Sequence, residues 1–217
     1  MVARAAGRVI PSFELVNISA TIRPDSKFAG AAVAGDGRVV FAPLHAYGVG
    51  VFDPRDDSFT LVNISATISS DRKFDEAAVA GDGRVVFAPS WANGVGVFDP
   101  RDDSFTLVDI SATIDSGAKF KGAALAGDGR VVFAPYHADG VGVFDPTDDS
   151  FTLVDISATI DSDFKFNGAA VAGDGRVVFA PRNAHGVGLF NPPCTCCESK
   201  MMRFGFSAGR VCVLPPP

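Results

Sequence analysis

Three histidines, His45, His137 and His185, are the side chains best suited to proton transfer or metal ligation in this sequence. They stand in the same loop positions as its one tryptophan, Trp91, and its two tyrosines, Tyr47 and Tyr136. Imidazole changes charge near neutral pH and ligates metals through nitrogen. A closed site, however, needs three or four ligands converging at about 2.0 to 2.2 Å from one ion. His45 and His137 occupy one position of an internal repeat, where Trp91 and Asn183 stand in the other copies, and His185 is displaced by two. They are read as exposed loop histidines, so no metal and no cofactor is assigned. No spacing groups a nucleophile, a base and an orienting residue, and no catalytic residue is assigned.

Other chemistry-bearing residues have structural readings. Asp56-Asp57, Asp102-Asp103 and Asp148-Asp149 resemble pieces of a calcium loop, but they lack its alternating oxygen ligands and closing glutamate. Each comes after an Asp-Pro between two strands, where aspartate favours a turn. Lys27, Lys73, Lys119 and Lys165 recur at one position, able to form a cationic ring; the reading preferred here pairs each with a nearby aspartate. Asn17-Ile18-Ser19 and Asn63-Ile64-Ser65 match the glycosylation acceptor pattern, yet Asp109 and Asp155 replace those asparagines without change of pattern. Cys194, Cys196, Cys197 and Cys212 are confined to the last 24 residues, which excludes a disulfide-built body and leaves a free thiol cluster as the reading.

What positions these residues is a repeat. Phe13, Phe59, Phe105 and Phe151 open four copies at a period of 46 residues. In the second copy, Phe59-Thr60-Leu61-Val62-Asn63-Ile64 alternates as a half-exposed strand does. Ala77-Ala78-Val79-Ala80 and Arg84-Val85-Val86-Phe87-Ala88-Pro89 flank Gly81-Asp82-Gly83, a hairpin turn whose positive φ values Gly and Asp tolerate. Gly94-Val95-Gly96-Val97-Phe98-Asp99 is a further strand. The middle strands are apolar on both faces and must be sandwiched between neighbouring sheets. Four short antiparallel strands per copy, stacked radially, predict an all-β fold, a β-propeller of four 46-residue blades. The small Ala-Ala-Val-Ala strand suits its centre, and the Phe-Thr-Leu-Val strand its rim.

The fourth copy loses the pattern after Phe190, so residues 13–18 are expected to supply its outer strand and close the ring. The competing arrangement is half of a larger ring completed by a second chain, a homodimer. The organisation is an N-terminal extension, 1–12, the propeller, 13–191, and a Cys- and Pro-containing tail, 192–217, expected to be poorly ordered.

Charge narrows the partners. A net charge of −6 and a pI near 4.9 argue against a nucleic-acid surface. The first residues lack the apolar run of a signal peptide and no stretch approaches a membrane span, so the expectation is a soluble, cytoplasmic protein with no membrane partner.

The combination of Lys-Phe, a glycine two residues on, Asp-Gly, Phe-Ala-Pro and Val-Phe-Asp-Pro resembles the blade of the streptogramin-lyase, gluconolactonase-like and NHL propellers. Phe-Thr-Leu-Val-Asp-Ile-Ser-Ala-Thr-Ile followed by Lys-Phe is similar to uncharacterised propeller repeats of unicellular algae. The resemblance spans about residues 13 to 191. Glu76 departs from it, standing where Gly30, Gly122 and Gly168 stand. Lyase-like catalysis implies a histidine base beside a metal-binding carboxylate, and nothing pairs Glu76 with a histidine by spacing, so those motifs are not carried over.

The copies differ mainly at 23–26, 69–72, 115–118 and 161–164 and at 44–47, 90–93, 136–139 and 182–185. Both sets are loops expected on one face, and loops on a rigid scaffold carry function. The candidate ligand-binding residues are therefore His45, Tyr47, Trp91, Asn93, Tyr136, His137, Asp139, Arg182, Asn183 and His185. The function expected is a noncatalytic binding module for a protein or small ligand. The alternative is a metal-assisted lyase or lactonase on the same scaffold.

Overall fold

The computed structural model describes residues 11–193. The extension before residue 11 and the cysteine tail from 194 onward lie outside the described residues. Among the described residues, fifteen strands fall into four antiparallel sheets, one per repeat. Blade 1 contains β1 (Phe28–Val33), β2 (Val39–Pro43), β3 (Gly48–Asp53) and β4 (Ser58–Asn63). Blade 2 contains β5 (Phe74–Val79), β6 (Val85–Pro89), β7 (Gly94–Asp99) and β8 (Ser104–Asp109). Blade 3 contains β9 (Phe120–Leu125), β10 (Val131–Pro135), β11 (Gly140–Asp145) and β12 (Ser150–Asp155). Blade 4 contains β13 (Phe166–Val171), β14 (Val177–Pro181) and β15 (Gly188–Phe190). Within each sheet the strands lie side by side in chain order.

The inner hairpin forms where the turn chemistry requires it. Ala80 and Arg84 close the loop by backbone hydrogen bonding, Gly83 takes φ +87°, and Asp82 Oδ1 accepts from the Arg84 amide at 3.0 Å. The third strand alternates glycine with valine for a packing reason. A Cβ at Gly96 would stand 2.7 Å from the Phe74 ring, so the glycine is the space in which the inner-strand phenylalanine lies. The rim turns confirm their reading: Asp56 Oδ1 and Asp102 Oδ1 accept the amides of Ser58 and Ser104 at 3.1 Å, while Asp57 and Asp103 adopt positive φ. The Asn/Asp exchange at 63 and 109 has a similar cause. Asn63 and Asp109 both cap the amide two residues on, at 2.9 and 2.8 Å.

Three hydrophobic clusters hold the blades together, each joining an Ala/Val face of one blade to a Phe face of the next. In the first, Val49 and Val51 of blade 1 meet Phe74, Phe87 and Phe98 of blade 2. The inner strands pack in the order β1, β5, β9, β13, and β13 does not pack in this way on β1. The four blades thus form an arc around an axis. The expected strand exchange is not made: residues 13–18 form no strand, Phe13 and Leu15 are exposed, and blade 4 has three strands. The physical reason is the arc itself, which sets residues 13–18 and β15 at opposite ends.

Candidate functional site

The two variable loop sets are fastened to each other. The amides of His45, Trp91, His137 and Asn183 donate to the carbonyls of Ser26, Arg72, Ala118 and Phe164. Those four acceptor residues share φ values of 49° to 55° despite being Ser, Arg, Ala and Phe, so the strained conformation belongs to the scaffold rather than to one side chain. Both sets therefore emerge together at the start of the inner strands.

The repeated lysines lie inside this layer. Lys73, Lys119 and Lys165 are 1 to 2 % exposed, and none belongs to a cationic ring at the surface. Lys73 Nζ donates to the Ala46 carbonyl and Lys119 Nζ to the Ala92 carbonyl, both at 3.0 Å. Lys165 Nζ reaches the His137 carbonyl at 3.4 Å and stands 3.6 Å from Asp139 Oδ1. Each lysine fastens its blade to the loop of the preceding one. The preferred pairing with aspartate holds at Lys165, while carbonyls take the main role elsewhere. Burial pushes the Lys73 and Lys119 ammonium groups below the ordinary lysine range.

Histidines 45 and 137 also act between blades. His45 Nδ1 lies 3.5 Å from Asp71 Oδ1, and His137 Nδ1 lies 2.9 Å from Asp163 Oδ1. At the junction between these two, Trp91 replaces the histidine and Gly117 replaces the aspartate; a Cβ on Gly117 would stand 2.6 Å from the indole. One contact is thus written as His–Asp, Trp–Gly and His–Asp, always 26 residues apart. Among the described residues, no three His, Cys, Asp or Glu side chains are gathered as a metal's ligands would be.

Around the last of these pairs the structure builds a cluster across blades 3 and 4. The Phe164 ring stands edge-on to Tyr136 at 5.0 Å and to His137 at 4.4 Å. The Arg182 guanidinium lies 5.1 Å from the centres of both the Tyr136 and Phe164 rings and donates to the Tyr136 hydroxyl. Asn183 Nδ2 donates to the Asp163 carbonyl at 3.2 Å. The remaining candidates are more dispersed. Tyr47 Oη donates to the Thr21 carbonyl at 3.3 Å, Trp91 and Asn93 are exposed, and His185 borders an apolar cavity with Val187 and Leu189.

Beside the cluster opens a cavity of about 320 Å³ on the axis, bordered by Ala29, Asp75, Glu76, Lys121, Asn167 and two glycines. Its polar residues owe their aim to β-bulges. In every blade the register between the first two strands slips just after the opening phenylalanine, as between Phe74 and Glu76 opposite Pro89 and Ala88. The extra residue turns out of the pleat towards the axis. Lys121 connects the two features, its Nζ lying 5.3 Å from the centre of the Tyr136 ring. Burial raises the pKa of Glu76 above the ordinary carboxylate range, partly offset by the Ala77 amide.

Sequence reasoning passed over Asp75, Lys121 and Asn167, and it placed Asp163 and Phe164 in a variable loop without selecting them as candidates. The first three were signalled by a strand position that reads Ala, Asp, Lys and Asn in successive copies while its surroundings stay constant.

No family model matches the chain, and no curated protein sequence matches it. Solved structures do. A catalytically inactive virginiamycin B lyase from Staphylococcus aureus with quinupristin matches with a TM-score of 0.64 at 14% identity, over 78% of this chain and 55% of that one. The extracellular domain of a hybrid two-component system from B. thetaiotaomicron also matches at 0.64, with 16% identity, over 83% of this chain and 24% of that one. A gluconolactonase-like protein matches at 0.56 with 12% identity, over 79% and 62%. The chain spans about half the length of the lyases it matches. Identities this low carry the architecture alone, and with the repeated sheets they establish the chain as a β-propeller repeat protein.

Proposed function

We propose that this chain is a noncatalytic binding module that recognises a protein or small ligand through its variable face, at the axial cavity and the adjoining Tyr136–Arg182 cluster. One observation carries the reading: a scaffold repeated almost without change delivers its differing side chains to a single surface. Carboxylates at Asp75 and Glu76, the Lys121 ammonium and the stacked Arg182 offer both signs of charge beside aromatic edges. This composition suits polar recognition. The paired histidines support the same reading, because His45 and His137 each lie against an aspartate of the next blade.

Affinity capture from extracts of the source cells tests it. Material retained by the parent chain should be lost with Lys121→Ala or Arg182→Ala and kept with Asp82→Ala on the opposite turn face. Equal retention by all three variants sinks the proposal. The lyase or lactonase reading would replace it if purified chain turned over cyclic esters in a reaction abolished both by chelator and by Glu76→Gln.

A further inference from the structure

We propose that a second copy of this chain seats on the two open ends of the arc, head to tail, so that two four-blade arcs close one eight-blade ring. The inference goes beyond the binding function and does not depend on what the variable face recognises.

Every junction inside the arc is the same interface, made three times. The trailing face of one blade presents Ala and Val, and the leading face of the next presents Phe. Blade 1 has a leading face and blade 4 a trailing face, and among the described residues no further blade covers either. Phe74, Phe87 and Phe98 are fully buried, whereas their counterparts Phe28, Phe41 and Phe52 are half-buried. Val95 and Val97 are 0 and 2 % exposed, whereas their counterparts Val187 and Leu189 are 59 and 52 % exposed. The two exposed apolar ends are therefore the two halves of a contact that this sequence already forms.

The polar fastenings repeat as well. Lys73 donates to the carbonyl of Ala46; the matching donor is Lys27, at the open end of blade 1, and the matching acceptor is the Ala184 carbonyl, at the open end of blade 4. Arg38 reaches forward to the Pro100 carbonyl and to Asp103, at 2.9 Å from the latter, and Arg84 does the same to Pro146 and Asp149. Continuing the period, Arg176 would meet Pro54 and Asp57 of a second copy. Where His137 meets Asp163, Asn183 would meet Asp25. The leading edge thus keeps the Lys27 donor and the Pro54, Asp57 and Asp25 acceptors that these pairings require.

A head-to-tail contact generates either a closed ring or an open chain of copies, according to its rotation. The match to the lyase propeller bears on that rotation: 78% of this chain superposes on 55% of the lyase chain, so one arc with this curvature takes up about half of a ring.

Light scattering on the purified full chain at micromolar concentration tests the proposal. The expected mass is twice the 22.6 kDa of one chain. Leu189→Asp places a charge in the apolar contact, and the expected dissociation constant rises by about a hundredfold or more. Circular dichroism of that variant should keep the parent's β signature, since Leu189 is half-exposed within one chain. A monomeric parent overturns the proposal. So does a dimer that Leu189→Asp leaves intact, and so does a series of species larger than two copies, which would mean that the contact does not close.

Discussion

The middle blades and the end blades are written in nearly the same residues, yet they live in different surroundings. Phe87 in β6 and Phe133 in β10 are completely buried, while Phe41 at the same place in β2 is half-buried. Val97 in β7 is 2 % exposed and Leu189 in β15 is 52 % exposed. The difference teaches that a blade does not own its core. Each sheet buries one face only because a neighbour covers it, as in other repeat architectures whose stability is a sum of units and nearest-neighbour contacts.

The largest test of this comparison is a deletion at matched positions. Phe87→Ala should lower stability by about 3 to 5 kcal/mol, the range for a large buried aromatic, and Phe41→Ala by less than half as much, as followed by denaturant unfolding of the monomeric Leu189→Asp chain. Equal costs would break the comparison. In the parent chain the gap should shrink as protein concentration rises if, as proposed, a second copy covers Phe41.

A smaller effect is expected at the fastenings. Lys119→Ala removes a buried aliphatic stem and strands the Ala92 carbonyl, with a cost of about 2 kcal/mol. Lys27→Ala, with no blade before it among the described residues, should change stability in the same monomeric background by less than about 0.5 kcal/mol. Lys119→Met separates the two parts of the effect, since it keeps the stem and loses only the ammonium. A cost for Lys27→Ala matching that for Lys119→Ala would show that the lysine stabilises its own blade rather than the junction.

The fold was legible because its signals are local. The Asp-Gly turn and the alternation of the rim strand each depend on a few neighbouring residues, and the 46-residue period states them four times. The lysine fastenings were not legible, since their acceptors are backbone carbonyls some 27 residues away that leave no mark on residue type. Asp75, Lys121 and Asn167 were hidden by a sound rule: alternate residues of an inner strand point into the packed interface, and a bulge breaks that rule. The His–Asp and Trp–Gly exchanges were visible only as paired changes in separate loops. Residues 13–18 resemble β4, β8 and β12, but a strand also needs an accessible edge. The arc places the open edge of β15 elsewhere.

The smallest expected effect lies at the axis and compares two junctions within the arc. At the last junction the backbones of Gly122 and Gly168 approach so closely that a Cβ on Gly122 would stand 2.7 Å from Gly168. At the first, Glu76 fills the corresponding place, and its carboxylate oxygen would lie 2.4 Å from a Cβ on Gly30. Burial raises the Glu76 pKa, so the folded chain disfavours the charged form relative to the unfolded one. The penalty is absent when the group is protonated in both states. It develops as pH rises above the unfolded value and is complete above the folded value. Glu76→Gln keeps the shape and removes the charge, so it should raise the thermal midpoint slightly at pH 7 and leave it unchanged near pH 3. A gain that persists at the lower pH would assign the effect to packing against Gly30 instead of to the buried charge, and the two junctions would then differ in shape alone.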